Sequence, residues 1–84
     1  MAGRVVFTAH ARHVARVRQI SHDWIFATLD APQWQEPDPR DAGLTRAFRA
    51  IAARDNRVLR VVYRRSGDDF IIVSAFFDRG ARRP

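Results

Sequence analysis

Leu44-Thr45-Arg46-Ala47-Phe48-Arg49-Ala50-Ile51-Ala52-Ala53 is the stretch on which the fold turns. Read as a helix, it gathers Leu44, Ala47, Phe48 and Ile51 on one apolar side, and its alanines add intrinsic helix propensity. Read as a strand, it places Arg46, Phe48 and Ala50 on one face and Thr45, Ala47, Arg49 and Ile51 on the other. Local propensity favours the helix. The strand reading makes the same residues the first of three consecutive strands.

Downstream the pattern is plainer. Arg54-Asp55-Asn56-Arg57 has turn composition, and Val58-Leu59-Arg60-Val61-Val62-Tyr63-Arg64 is a strand by its β-branched content. Alternation puts Leu59, Val61 and Tyr63 on a side suited to helix cover, and Val58, Arg60, Val62 and Arg64 on a face that stays at least partly open. Ser66-Gly67-Asp68 turns the chain into the nearly all-apolar run Phe70 to Phe77, which reads as a central strand. The last residues, 79–84, form a basic tail that is expected to be mobile.

Upstream, residues 30–43 carry Pro32, Pro37 and Pro39 among Asp30, Glu36, Asp38 and Asp41, with Arg40 the one base. This composition reads as a loop, with Trp34 packed onto the edge of the core and the acids keeping the loop clear of any phosphate path. Before it, Ser21 caps a helix whose buried stripe is Trp24, Ile25, Thr28 and Leu29, with Asp23 in the first turn and Pro32 as the stop. Earlier still, Arg4-Val5-Val6-Phe7-Thr8 suits a short edge strand. Thr8 then caps a helix with Ala11, Val14, Ala15 and Arg18 at helical spacing. The two helices are expected to form a hairpin, and the whole of residues 1–84 a single domain.

Composition bounds the function. All 15 basic residues are arginine, against 9 acids, for a net charge of +6. The acidic loop carries −3 of its own, so the rest of the chain holds +9. Guanidinium groups pair bidentately with phosphate and carboxylate and stack on planar rings, which points to nucleic acid or an acidic protein as partner. A coding bias towards arginine explains the missing lysine but not the net charge. Folding a chain this short buries only roughly 60 to 65% of its unfolded surface, so the core is thin. There is no cysteine, and hence neither a disulfide nor a thiolate metal site. No apolar run approaches the ~20 residues that span a bilayer, and no signal-peptide core opens the chain, so a soluble, cytoplasmic protein with no membrane partner is expected. His10 and His13 lie three residues apart, but no third ligand accompanies them, and neither a metal nor another cofactor is expected.

The order of elements, with Thr8-Ala9-His10-Ala11 and Arg18-Gln19-Ile20-Ser21 and the later pair Leu59 to Tyr63 and Ile71 to Phe76 closed by Asp78-Arg79, resembles the RelE/ParE-like toxin superfamily. Within it, the chain is similar to a small uncharacterised family with that Thr-x-His-Ala and Arg-x-Ile-Ser signature. Two positions depart from the family pattern: Val14 stands where an arginine is frequent, and Gln19 where a glycine is common. The resemblance implies an α+β fold with an N-terminal strand, a two-helix hairpin and a three-stranded antiparallel meander that joins the first strand in one sheet. On that ground residues 44–53 are taken as a strand.

The resemblance also implies an activity, that of a bacterial toxin in a toxin and antitoxin pair which cleaves RNA without a metal or inhibits translation. In such a reaction the ribose 2′-hydroxyl attacks the adjacent phosphate, and the site needs a base, a cation for the phosphorane charge, and an acid for the leaving oxygen. His10 is the candidate base or acid, with Arg18 and Arg60 as the catalytic cations. Arg12, Arg16, Arg46, Arg64 and Arg79 are the candidate nucleic-acid contacts. Each has a plainer role beside it: His10 as a helix-end hydrogen-bonding group, Arg18 in an ion pair with Asp23 or Asp78, Tyr63 in the core. The expected partners are RNA and an acidic antitoxin. A non-catalytic basic module that docks an acidic protein or nucleic acid, and a ParE-like gyrase inhibitor, are the alternatives, because fold does not determine function.

Overall fold

The computed structural model describes residues 3–84. Its elements run β1 (Val5–Phe7), α1 (Ala9–Val17), α2 (His22–Asp30), β2 (Trp34–Pro37), β3 (Thr45–Ile51), β4 (Arg57–Ser66) and β5 (Asp69–Phe77), with a 3-10 turn at Ala52–Arg54. The fold is α+β, with two helices and a five-stranded mixed sheet in the spatial order β1-β5-β4-β3-β2. Strands β2 to β5 are antiparallel neighbours in succession, and β1 lies parallel to β5.

The expected three-stranded meander is therefore corrected to four antiparallel strands. Trp34–Pro37, assigned to a loop by its composition, is the edge strand β2. Its proline does not forbid this, because Pro37 ends an outer strand, where a missing N–H costs no ladder bond. Residues 45–51 form a strand in spite of their helical propensity, since every one of them pairs with β4. Pairing on both sides outweighs the few tenths of a kcal/mol per residue, ~0.7 at most, that propensity supplies. Ala47 is fully buried, and its small side chain leaves room for α2, which lies across β3 and β4.

Both caps form as the sequence predicts. Thr8 Oγ1 accepts from the amide of Ala11 at 3.0 Å and donates to the carbonyl of Ile72 at 3.0 Å, which ties α1 to the sheet. Ser21 Oγ accepts from the amide of Asp23 at 3.1 Å. Helix α1 ends with Gln19 at φ 55°, while the amides of Gln19 and Ile20 reach back to the carbonyls of Arg16 and Ala15. This is a left-handed helix stop, the conformation that glycine takes without strain. The departure at Gln19 noted above thus falls on a position that calls for glycine.

One face of the sheet carries both helices. Leu59, Val61, Tyr63, Ile72, Ala75, Ala47 and Ile51 meet Ala11, Ala15, Ile20 and Ile25 in the core. Ile72 and Ala75 both point inward although they are three residues apart, which strict alternation forbids. The register resolves this: Val62 pairs with Ser74 and Tyr63 with Ile72, so Val73 is an extra, bulged residue. Beyond the bulge the phase of β5 is reversed, and Phe76 emerges on the face without helices.

Candidate nucleic-acid interface

The helix-free face is organised as a row across the strands. Trp34 on β2 is opposite Phe48 on β3, Phe48 is opposite Arg60 on β4, and Arg60 is opposite Phe76 on β5. The rings of Trp34 and Phe48 are stacked, with centroids 4.6 Å apart and planes 7° from parallel. That separation is close to the ~4.8 Å spacing of neighbouring strands, so the rings stand upright on the sheet and face one another. Phe48 is 2% exposed although no helix covers it. Trp34 does pack down as expected, but on this face and not on the edge of the helix-covered core.

At the other end of the row the guanidinium carbon of Arg60 lies 4.1 Å from the centre of the Phe76 ring, and that of Arg18 lies 5.7 Å from it. Arg18 reaches this place because β1 stops at Phe7 while β5 runs on to Phe77, which leaves the outer edge of β5 bare. The amide of Asp78 bonds the carbonyl of Val58, so alternation aims the carbonyl of Ala75 outward, away from β4. Arg18 Nη1 donates to it at 3.0 Å. The two guanidinia therefore flank Phe76 from opposite sides.

Their electrostatics differ. Arg60 pairs with Asp78 at 3.5 Å, and its side chain is only 17% exposed. Among the described residues its buried Nε has no hydrogen-bond partner. Burial pulls the Arg60 pKa below its ordinary value, the nearby Arg46 charge adds to this, and Asp78 opposes it. Arg18 pairs with neither Asp23 nor Asp78, and among the described residues no carboxylate bridges to it. Its charge is not neutralised.

Arg46 occupies the adjoining row, opposite Glu36 and Val62. Its Nε lies 3.2 Å from Asp38 and its Nη1 3.8 Å from Glu36. The Asp38 carboxyl is held below the usual carboxylate range, chiefly by the backbone amide of Arg40, with burial opposing and Arg46 assisting. The acidic segment thus does not stand clear of the basic face, but turns two carboxylates onto one of its arginines.

The other candidate residues are more dispersed. Arg64 is exposed four residues along β4 from Arg60, towards the β4–β5 turn. Arg79 is exposed just after β5, and Arg12 and Arg16 project from the outer side of α1. His10 and His13 are exposed on α1, and among the described residues neither makes a side-chain hydrogen bond or ion pair. His10 precedes Arg18 by eight residues, roughly 12 Å along a helix axis. The fold thus unites Arg18 with Arg60 and brings no contact between His10 and either. A transesterification needs its base within about 3 Å of the reacting hydroxyl, and the fold by itself does not place His10 beside the two guanidinia.

Trp34, Phe48, Phe76 and Asp78 are the members of the face that sequence reasoning missed. No local signal marks them, because the row exists only through cross-strand register and the bulge at Val73.

Residues 7–77 match the family described as Domain of unknown function (DUF4258), and the chain belongs to that family. No curated protein and no solved structure matches the chain.

Proposed function

We propose that this DUF4258 domain binds single-stranded RNA on the helix-free face of its sheet, as a toxin-like protein of the RelE/ParE kind. The observation that supports this reading best is the convergence of Arg18 and Arg60 on Phe76, with Arg18 free of any carboxylate among the described residues. Guanidinium forks pair with phosphate oxygens, while an upright aromatic ring at the end of the row, Trp34, is of the kind on which an unpaired base stacks. In a toxin and antitoxin pair, an acidic antitoxin would neutralise the same arginines.

Cleavage of the bound strand is the second part of the proposal. The 2′-hydroxyl attacks the adjacent phosphorus, the P–O5′ bond breaks, and a 2′,3′-cyclic phosphate and a 5′-hydroxyl result. Arg18 and Arg60 neutralise the phosphorane; His10, the proposed proton-transfer group, contacts neither arginine in the free protein, so its role requires that binding of the strand along α1 bring it within about 3 Å of the reacting oxygens.

The test uses fluorescently labelled single-stranded RNA with the wild type, Arg18→Gln, Arg60→Gln and His10→Ala, with and without chelator. Binding that falls about tenfold with either arginine variant and is unchanged in His10→Ala supports the docking face. Chelator-resistant cleavage that His10→Ala abolishes supports the chemistry. Unaltered RNA binding in both arginine variants overturns the first part, and cleavage that survives in His10→Ala overturns the role of His10.

A further inference from the structure

The row Trp34, Phe48, Arg60, Phe76, Arg18 has two unlike ends. Arg18 closes one end, lying over Phe76 on the side away from Arg60. Trp34 forms the other end, on the edge strand β2, and among the described residues the sheet contains no strand beyond it. Its inner face is stacked on Phe48. Among the described residues no ring or guanidinium is stacked on its outer face. Trp24, by contrast, is on the helix side, packed edge-on to Phe77 at 6.1 Å with Arg54 over it.

We propose that the outer face of Trp34 receives one unpaired base of the RNA strand, so that the base continues the stacked column past the edge of the sheet. This rests on the reading of the face as an RNA surface and adds where a base is held. A large, rigid indole already backed by Phe48 is prepared for such a contact, because little of its side-chain freedom is left to lose. Trp34 and Phe76 are three strand spacings apart, about 14 Å. The base on Trp34 therefore belongs to a different nucleotide from the one whose phosphate meets Arg18 and Arg60. The strand accordingly crosses the sheet at an angle to its strands, with phosphate held at the β5 edge and a base at the β2 edge. A duplex, whose bases are paired and stacked inside, offers nothing to this end of the column.

The chain has two tryptophans, so Trp24→Phe leaves Trp34 as the sole indole emitter. That variant is titrated with a single-stranded octamer of adenylate or uridylate, with an octamer of the same backbone lacking its bases, and with a blunt duplex. Affinity is read separately by anisotropy. The expected result is quenching of Trp34 that saturates with the binding curve of the intact octamer, and binding of the base-free octamer at least about tenfold weaker and without quenching. The duplex is expected to leave the emission unchanged. Trp34→Leu should bind the intact octamer no better than the wild type binds the base-free one. Since the base-free comparison is made on a protein that keeps Trp34, it does not depend on how well Trp34→Leu folds. Equal affinity for intact and base-free octamers, or emission unchanged at saturation, overturns the proposal while an Arg18-dependent and Arg60-dependent affinity leaves the docking face standing. Absence of RNA binding overturns both.

Discussion

Arg60→Met separates a residue kept for binding from one kept for stability. The substitution preserves length and most of the apolar cover over Phe76 and Phe48. It removes a stacked cation worth about 0.5 to 2 kcal/mol and an ion pair with Asp78 worth about 1 kcal/mol at this partial exposure. Asp78 keeps the amide of Gly80 at 2.9 Å, so its carboxylate is not left bare. Against these losses, the orphaned buried Nε disappears, which is worth about 1 to 3 kcal/mol, and a thioether against Phe76 returns about 0.3 to 1.5 kcal/mol. The terms cancel to within about 1 kcal/mol. In chemical denaturation the unfolding free energy of Arg60→Met should thus stay near the wild-type value, and its Tm within about 8 °C. Over the same change, RNA affinity should fall, and the slope of log Kobs against log salt should become shallower by about 0.7 for the lost phosphate contact. A destabilisation above about 3 kcal/mol would refute the reasoning, since it would make Arg60 a structural strut whose charge needs no ligand to explain it.

Gly3→Ala should destabilise the protein by about 1 to 3 kcal/mol in the same assay, because its Cβ would lie 1.8 Å from the carbonyl oxygen of Asp68; an unchanged midpoint would show that β1 does not approach the β4–β5 turn this closely. Gln19→Gly should stabilise by up to about 1 kcal/mol through relief of the left-handed backbone at φ 55°, and a loss of stability would contradict that conformation. Tyr63 is the one tyrosine, and burial raises its phenol above the ordinary value, with the Arg65 charge opposing. Ultraviolet titration of the folded protein should place its midpoint above the usual ~10. Because the folded pKa is the higher one, the associated stability is intact below the unfolded value and lost as pH rises through the folded value; ionisation at the free-tyrosine pH without unfolding would overturn this.

Much of the architecture is readable from local chemistry. Hydroxyl caps at Thr8 and Ser21 are short-range devices, and they form because the partner amides are two or three residues away. Alternation in Leu59 to Arg64 separates a helix-facing row from an open one, since side chains of a strand point by turns to opposite faces. The arginine excess sets a net charge of +6 before any fold is known. The two places where composition misleads are Thr45–Ile51 and Trp34–Pro37. In both, pairing with a distant strand decides the conformation, and neither propensity nor proline content records what a segment will pair with.

The candidate site lies almost wholly beyond such local reading. Arg18 and Arg60 are 42 residues apart in the chain and meet only because β1 ends early and leaves a carbonyl on β5 for Arg18 to take. Phe76 is on the same side of β5 as Ile72 by simple alternation, and would be buried under the helices. The bulged Val73 shifts that phase by one residue and puts its ring between the two guanidinia. By itself, then, the sequence determined the caps, the inward row of β4 and the net positive charge, because each depends on residues within a few positions or on composition. Tertiary structure alone decided the register, the bulge and the stacked row, because these follow from which backbone groups find partners across the sheet.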